Sequence, residues 1–365
     1  MAAGTVSTPG PMETELLELV ASVSEPDPIW YDRAWERLDS LTKPPRSLGR
    51  LEDLAARVAR AQGTDRPRTD PSAIVLFAGD HGVVEEGVSA WPSEVTQQMM
   101  ANFVTGGAAI NQLAGQCNSR LVLVDVGVKG DTSALPGVLQ QKIRPGTRNL
   151  AKEPAMTREE AAEAFMVGAR LARHLTFDDV RIIGIGEMGI GNSTVASALV
   201  AAYTNVPVNR VVGRGTGVDD ATLARKTAIV NRALAIHKPD RNDPLGTLAA
   251  LGGFELAAMA GVLVGGASAG ACVVTDGFIS SAAALAAAVL CPPCMQYVFG
   301  SHRSMEPGHK VALVALGIEP YLELEMCLGE GTGAALGIGV ISAACAMMNG
   351  MATFAEAGVS GKEGS

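Results

Sequence analysis

Aromatic side chains are scarce in this chain: Phe, Trp and Tyr together make up 4% of its 365 residues. A core with so few rings must be filled by aliphatic and small side chains, and the 42 glycines predict close backbone packing. Charged residues are also few, at 18%, whereas hydrophobic residues reach 47%. This balance excludes a disordered protein and indicates a large buried core, which could be divided between two domains.

The sequence also lacks a surplus of basic residues. Its formal net charge is −9, and it contains neither a Lys/Arg block nor a basic stripe. Because binding to nucleic acid requires a positively charged surface that contacts phosphates, nucleic acid is not expected as a main partner.

No complete metal site or disulfide framework is visible. Six cysteines in a chain this long do not resemble the spacing of a small disulfide-rich domain. Cys291 and Cys294 have CxxC spacing, but no second CxxC or pair of histidines completes four ligands, so an apolar turn is favoured over a zinc or redox site. The chain also has no HExxH, GxSxG or Walker A motif. We therefore expect no cofactor.

Residues 1–12 show neither a basic segment nor an apolar segment of the kind found in secretory signals, so a cytoplasmic location is expected. Two later runs without charge, residues 256–275 and 278–299, are long enough to raise the question of membrane spans. Both are rich in Ala, Gly and Ser, and no Lys or Arg flanks their junction at Asp276. Buried helices and a strand of an α/β core are the better interpretation, and no membrane is expected as a partner.

The order of predicted elements indicates the fold class. Residues 12–23, 30–41 and 48–61 have helical spacing of apolar residues, and a polar stretch at 63–71 resembles a linker. From Ala73 onwards, short apolar strands alternate with helices, which is typical of an α/β protein with a mostly parallel sheet.

Six predicted strands end in glycine-containing loops, and five of these loops also carry an acid. The predicted strands are residues 74–78, 121–124, 181–185, 208–212, 271–275 and 322–326. In an open α/β sheet, ligands bind beyond the carboxyl ends of the strands. We therefore expect these loops to meet at one cleft.

The last of these loops, CLGEGTG at residues 327–333, places Glu330 between two glycines. It precedes a nearly uncharged run at 334–348 that predicts a buried helix. Glu330 could be a solvated loop acid, an acid favoured by the helix dipole, or a carboxylate that faces a ligand. Apolar surroundings would raise its pKa and a helix N-terminus would lower it, and the sequence leaves this direction open.

Two glycine-rich segments suggest different ligands. Gly184, Gly186 and Gly189 match the dinucleotide fingerprint by letter, but the acid expected about 20 residues further on is missing, and Glu187 would repel a diphosphate. For an anion, the candidates are the backbone N–H groups of residues 213–217 and Lys226, although Lys226 could equally lie on a solvated helix face.

Nine sequence blocks then carry a resemblance to a known family. They are PRSLGRLE (45–52), GDHGV (79–83), EVTQQM (94–99), GTRN (146–149), GEMGIGN (186–192), GRGTG (213–217), GGFE (252–255), SH (301–302) and LGEGTG (328–333). With these blocks in this order, residues 41–348 closely resemble the nicotinate-nucleotide–dimethylbenzimidazole phosphoribosyltransferase family, whose product is the lower-ligand nucleotide of cobalamin.

The resemblance implies a fold and a reaction. The fold is a Rossmann-like, mostly parallel sheet with helices on both faces at residues 71–334. A small helical domain is formed by residues 1–70 and the C-terminal helix at about 335–365. The reaction transfers 5-phosphoribose from nicotinate mononucleotide to 5,6-dimethylbenzimidazole, giving α-ribazole 5′-phosphate and nicotinate with inversion at the anomeric carbon. The enzyme is expected to be a homodimer.

The same resemblance assigns roles to individual residues. It implies that Glu330 is the general base and that Gln98 and Glu187 lie near the benzimidazole. The remaining residues that it assigns to substrate binding, most of them at the phosphate and ribose, are Gly189, Gly215, Lys226, Ser304 and Gly329.

Two positions depart from the family pattern. Cys327 stands where the family usually has an arginine that contributes to phosphate binding, and Arg214 or Arg303 could compensate. Arg46 stands where the family usually has glycine, which we interpret as a tolerated loop change. Two alternatives to the transferase therefore stay open: the same scaffold with another acceptor base or water, and a ligand-binding homologue that does not catalyse.

Overall fold

The computed structural model of this chain describes residues 9–215 and 217–360. Thr216 of the glycine-rich loop and the two chain ends of the predicted domains lie outside these residues. Its strands are β1 (Ser72–Gly79), β2 (Ser119–Gly127), β3 (Val138–Gln140), β4 (Ile182–Met188), β5 (Cys272–Thr275) and β6 (Val298–Gly300).

The helices precede, connect and follow these strands. They are α1 (Pro11–Ser22), α2 (Ile29–Ser40), α3 (Arg50–Gln62), α4 (Glu94–Thr105), α5 (Ala109–Gln116), α6 (Arg158–Phe177), α7 (Asn192–Thr204), α8 (Asp220–His237), α9 (Pro244–Leu251), α10 (Phe254–Ser268), α11 (Phe278–Leu290), α12 (Pro307–Leu316), α13 (Thr332–Gly350) and α14 (Phe354–Ala357).

All six strands form one parallel sheet in the order β3-β2-β1-β4-β5-β6. This is the order of the doubly wound Rossmann fold, in which the strand order reverses between β1 and β4 and leaves a crevice at their carboxyl ends. Every residue of β1 is buried, as expected for a strand covered on both faces. The predicted fold class is confirmed.

Helices cover both faces of this sheet, and the alternation of side chains along β5 shows it. A Cβ added to Gly266 of α10 would meet Val273, whereas one added to Gly337 of α13 would meet the next residue, Val274. Because successive strand residues point to opposite faces, α10 and α13 lie on opposite sides of the sheet.

Four of the six predicted strands are present, as β1, β2, β4 and β5. The strand predicted at 208–212 is wrong: Val208–Arg210 forms a single 3₁₀ turn after Pro207. The strand predicted at 322–326 is also wrong, because this segment is irregular apart from one bridge between Leu322 and His302. The two short strands β3 and β6 were not predicted, since three residues are too few to show a periodicity.

Small residues bring α6 and α10 into backbone contact, which accounts for the many glycines. A Cβ on Gly261 of α10 would lie 1.8 Å from the carbonyl oxygen of Phe165, and one on Gly168 of α6 would lie 1.8 Å from that of Ala258. The two helices therefore pack at a distance that no residue with a side chain would permit at these positions.

The N-terminal helices contact the C-terminal ones. Arg37 of α2 donates to the carbonyl oxygen of Met348 at 2.9 Å, and Leu41 forms an isolated bridge with Thr353. Helix α1 packs against α6, and α3 packs against α13. The division into domains at residue 70 stays a prediction.

Helix α13 is long and apolar enough to cross a membrane by length and composition, with a mean hydropathy of 1.5. Half of this apolar stretch is buried inside the protein, where α13 packs against α3, α5 and the sheet. These contacts are those of a core helix.

We expect Gly261→Ala to lower the free energy of unfolding by at least about 2 kcal/mol, because the new methyl group collides with the backbone of α6. Equilibrium unfolding in denaturant measures this change. The matched control is Gly339→Ala on the exposed face of α13, where an added Cβ meets nothing within 4 Å. This control should raise stability by about 0.5–1 kcal/mol, since alanine favours the helix. Equal effects of the two substitutions would contradict close packing as the cause.

Candidate active site

A cavity of about 480 Å³ lies beyond the carboxyl ends of the strands, where the loops after β4, β5 and β6 meet the loop before α13. One part of its wall is apolar and is formed by Val88, Trp91, Val95, Met99, Phe278 and Ile279. The polar part contains Glu187, Asn192, Ser193, Arg214, Lys226, His302, Ser304, Glu306 and Glu330. The cavity thus offers both a surface for a flat apolar ring and groups for a charged, hydroxylated ligand.

Glu330 is held in this cavity by an unusual backbone conformation. Gly329, Glu330 and Gly331 have φ values of 91°, 63° and 86°, three consecutive residues in the left-handed region. Glycine adopts this region readily, but glutamate does so at a cost of about 1–2 kcal/mol. The carboxylate is 7% exposed, and its Oε2 atom has no hydrogen-bond partner. A strained, buried carboxyl group with one unpartnered oxygen is an arrangement found at functional sites.

The loop can reach this position because β4 carries a glycine beside it. A Cβ on Gly186 would lie 2.6 Å from the carbonyl oxygen of Glu330 and 2.7 Å from the nitrogen of Gly331. Gly186 therefore serves close packing within the strand rather than the turn of a dinucleotide site.

Asp276, directly after β5, fixes the other side of the same loop. Its Oδ2 atom accepts a hydrogen bond from Gly331 N at 3.0 Å, and its Oδ1 atom accepts one from Gly333 N at 2.7 Å. His302 Nε2 lies 3.5 Å from Asp276 Oδ1. Asp276 is buried and lies behind the cavity wall.

Burial raises the pKa of Glu330, and the charge of Asp276 adds to this effect, whereas the backbone N–H of Ile110 opposes it. The question that the sequence leaves open is thus answered by desolvation, which dominates over the nearby helix N-terminus. A raised pKa makes Glu330 a stronger base once it is deprotonated.

The pKa of a second carboxyl group in the cavity, that of Glu187, is raised more strongly. Burial, followed by the charges of Asp276 and Glu255, raises its pKa to about 8, while a short hydrogen bond from Asn192 acts in the opposite direction. At neutral pH most of the Glu187 carboxyl groups therefore carry a proton and can donate a hydrogen bond. The pKa values of Glu187 and Glu330 are thus shifted in the same direction, but their contacts differ, because Asn192 bonds to Glu187 whereas the Oε2 atom of Glu330 has no partner.

A buried lysine, Lys226, also lines the cavity. Lys226 Nζ donates to Gly213 O at 2.9 Å and to Ser193 Oγ at 3.1 Å, and burial lowers its pKa. An ammonium group has three N–H donors, so one is left for a ligand after these two bonds. Glu306 accepts a hydrogen bond from Gly215 N at 2.8 Å and holds the loop against α12.

Ser304 reaches the cavity from the loop after β6. Its hydroxyl lies 2.9 Å from His309 Nδ1, and the backbone N–H of Ser304 donates to the same nitrogen. Burial, and then the neighbouring His302, lowers the pKa of His309 to about 3, so this imidazole is neutral and accepts.

The structure brings together seven of the eight residues singled out in the sequence. Those that line the cavity are Glu187, Gly189, Gly215, Lys226, Ser304, Gly329 and Glu330. Gln98 does not line it: this residue is exposed on α4, while Val95 and Met99 of the same helix face the cavity. The role of Gln98 stays a prediction.

Several lining residues were missed in the sequence. Trp91 and Phe278 carry no motif, and they reach the cavity only because the loop before α4 and the start of α11 fold beside it. Glu306 had a signal, since it directly precedes the Pro-Gly pair that begins α12.

The two departures from the family pattern have different settings. Cys327 is exposed and lines the cavity. Arg214 also lines the cavity, and it pairs with Asp220. Arg303 instead pairs with the exposed Glu323 at 2.9 Å. Arg46 has a φ of 61°, a conformation that favours glycine, and its guanidinium stacks on Trp35 at 3.6 Å. The Arg46 change is accommodated locally by this stacking.

Comparisons with known proteins identify the family to which this chain is similar. A family model described as Phosphoribosyltransferase (DBI_PRT) matches residues 23–359. The nicotinate-nucleotide–dimethylbenzimidazole phosphoribosyltransferase of Desulforamulus reducens is 48% identical over 348 residues, covering 95% of this chain and 99% of that protein. The protein of the same name from Geobacter metallireducens is 49% identical over 346 residues, covering 95% and 98%. The crystal structure of CobT from Thermus thermophilus superposes with a TM-score of 0.88 at 48% identity, covering 92% of this chain and all of that one.

The proton on Glu187 makes stability depend on pH. An ordinary carboxyl pKa of 4.5 in the unfolded chain and one of about 8 in the folded protein mean that the folded state binds more protons between these values. The free energy of unfolding should therefore fall as pH rises from about 4.5 to 8, by an amount on the order of 4 kcal/mol.

Denaturant unfolding at a series of pH values measures this slope, and Glu187→Gln should remove most of it. The exposed Glu323 provides the control, since Glu323→Gln should leave the slope unchanged. An unaltered slope in Glu187→Gln would contradict the assigned protonation state.

Proposed function

The chain belongs to the nicotinate-nucleotide–dimethylbenzimidazole phosphoribosyltransferase family, and we propose that it transfers 5-phosphoribose from nicotinate mononucleotide to 5,6-dimethylbenzimidazole with Glu330 as general base. The observation that carries this proposal is the Glu330 carboxylate, which is buried in the cavity with its Oε2 atom free to accept a proton. The products are α-ribazole 5′-phosphate and nicotinate.

The chemistry requires one base. Neutral dimethylbenzimidazole has one nitrogen with a lone pair and one N–H. As the first nitrogen attacks C1′ of the ribose, the second loses its proton, and Glu330 takes it. The bond from C1′ to the pyridinium nitrogen breaks at the same time, and its electron pair neutralises the leaving nicotinate ring. No acid is needed on that side.

Positive charge develops on the sugar ring as this bond breaks, and a negative environment stabilises it. Because Glu187 is largely protonated at neutral pH, its contribution is a hydrogen bond rather than a full charge. The ionised groups that act on the developing charge are Glu330, before it accepts the proton, and Asp276 behind it.

The two parts of the cavity wall suit the two substrates. The apolar surface of Trp91, Val95 and Met99 provides contact for the methylated ring. Lys226, which has one N–H donor left, provides a hydrogen bond for the nucleotide phosphate, and Arg214 also lines the cavity. The N–H group of Gly215 is already donated to Glu306.

Substitution of Glu330 tests the proposal directly. Purified wild type and Glu330→Gln are incubated with nicotinate mononucleotide and dimethylbenzimidazole, and the products are separated by chromatography. We expect wild type to release α-ribazole phosphate and nicotinate in equal amounts. Loss of the base should lower kcat by about 10²–10⁴-fold with little change in either KM.

Glu325→Gln, in the same loop but exposed and outside the cavity, is the matched control and should keep the wild-type rate. Full activity of Glu330→Gln would disprove its role as base. Binding of the base with no turnover by wild type would instead favour the non-catalytic homologue, and nicotinate release without ribazole would favour hydrolysis.

We also propose a homodimer, as the resemblance implies. Met305, Leu324 and Leu328 are 62%, 52% and 53% exposed, and Met305 N donates to Met326 O at 3.1 Å, which joins their two segments at the cavity mouth. A second copy that covers these apolar residues would remove them from water.

We also propose a cytoplasmic location, because all six cysteines are free thiols, and cell fractionation tests this location.

Light scattering should give about twice the mass of one chain. Met305→Asp should shift the protein toward the monomer, since the dimer would bury an unpaired charge. Phe177→Asp, at an exposed apolar residue on α6, is the control and should stay dimeric. A monomeric wild type would rule out the dimer.

A further inference from the structure

Asp276 occupies a position in the site that the reaction does not by itself require. It is the first residue after β5, it is 2% exposed, and its neighbour Gly277, not Asp276 itself, lines the cavity. A residue behind the wall does not touch the substrate, so any effect on catalysis must act through another residue.

The residue through which it acts is fixed by its hydrogen bonds. Both carboxylate oxygens accept backbone N–H groups, from Gly331 at 3.0 Å and from Gly333 at 2.7 Å. These two residues are one and three positions after Glu330. The first N–H groups of a helix have no partners within it, and Gly331, the N-cap of α13, has no side chain to supply one. Asp276, which follows β5, therefore caps the N-terminus of α13.

This cap opposes the strain of the loop. Glu330 has a φ of 63°, and such a conformation persists only where surrounding contacts enforce it. On one side Gly186 allows the loop to lie against β4, and on the other Asp276 draws the following N–H groups toward β5. The direction of the Glu330 side chain follows from these two contacts.

We propose that Asp276 is a positioning residue for the transfer reaction: it holds the strained Glu330 backbone in place and keeps a fixed negative charge behind the general base. This inference rests on the proposed function, because it concerns the same base.

The negative charge of Asp276 also changes the pKa of Glu330 in a definite direction. The groups that act on Glu330 are Glu187 from β4, Asp276 from the loop after β5, and the backbone N–H of Ile110 from α5, while His302 lies beside Asp276. Of these, Asp276 is the charged neighbour that raises the pKa of Glu330 after burial itself. Removing its charge makes Glu330 a weaker base, and the pH at which Glu330 loses its proton falls.

Asp276→Asn tests both the backbone positioning and the negative charge that the proposal assigns to Asp276. Asparagine has the same size, lacks the charge and can accept only one of the two N–H groups. We expect kcat to fall by about 10–100-fold and the acid limb of the kcat–pH profile to move to lower pH. The KM values for nicotinate mononucleotide and dimethylbenzimidazole should stay within about threefold, because the cavity wall is unchanged.

Asp125 provides a matched control. It is also buried, near the end of β2, and its Oδ1 atom accepts two backbone N–H groups, from Gly127 at 3.0 Å and Val128 at 2.9 Å, but it lies outside the cavity wall. Its Oδ2 atom lies 3.3 Å from Lys142 Nζ. Asp125→Asn thus removes a buried charge at a second strand end and should keep the wild-type acid limb.

A second variant separates charge from position. Asp276→Glu keeps the charge but places it one methylene further out, so its kcat should fall while the acid limb stays near that of wild type. An unshifted acid limb in Asp276→Asn, or a wild-type kcat in Asp276→Glu, would overturn the proposal. If Asp276→Asn does not fold, Asp276→Glu alone decides the positional part. Failure of the proposed function is distinguishable, because it would appear as an inactive wild type or a fully active Glu330→Gln.

Discussion

The active site depends on a contact between two backbones, Gly186 of β4 against the peptide that joins Glu330 to Gly331. No side chain fits between them, since a Cβ on Gly186 would lie 2.6 Å from the Glu330 carbonyl oxygen. Gly184, two residues earlier on the same face, admits Ala334 and Ile338 of α13 in the same way. Because the helix lies directly on the sheet, Glu330 is placed deep enough to be desolvated and near enough to Asp276 for its loop to be capped.

Depth then determines the chemistry of the acids. Burial is the largest cause of the raised pKa of both Glu187 and Glu330, and the mutual repulsion of neighbouring carboxylates adds to it. Two backbone N–H groups and the nearby His302 surround the carboxylate of Asp276. The three carboxyl groups thus differ in their contacts: Glu187 bonds to Asn192, Glu330 keeps an unpartnered oxygen, and Asp276 accepts two backbone N–H groups.

Much of this arrangement could be predicted from the sequence, because it depends on local patterns. Apolar runs that end in glycine and an acid identified β1, β2, β4 and β5, and the loops after β1, β4 and β5 line the cavity as the parallel order implied, whereas the loop after β2 does not. The alternation at residues 322–326 was misleading, since this segment is irregular and its central apolar residue, Leu324, is exposed. The side on which Gln98 lies depends on the rotation of α4, and the pKa of Glu187 depends on residues from four separate segments of the chain. Neither is encoded in a local spacing.

The attachment of α13 has a consequence for how the protein is made. Its N-terminal loop carries Glu330, its middle lies between α3 and the sheet, and the carbonyl groups of its last turn accept hydrogen bonds from Arg37. During synthesis, chains generally fold from the N-terminus as they emerge from the ribosome. Here the first three helices and the whole sheet are complete before the helix that packs between them is translated. Glu330 and the helix that covers this side of the sheet are therefore translated together, after every strand of the sheet.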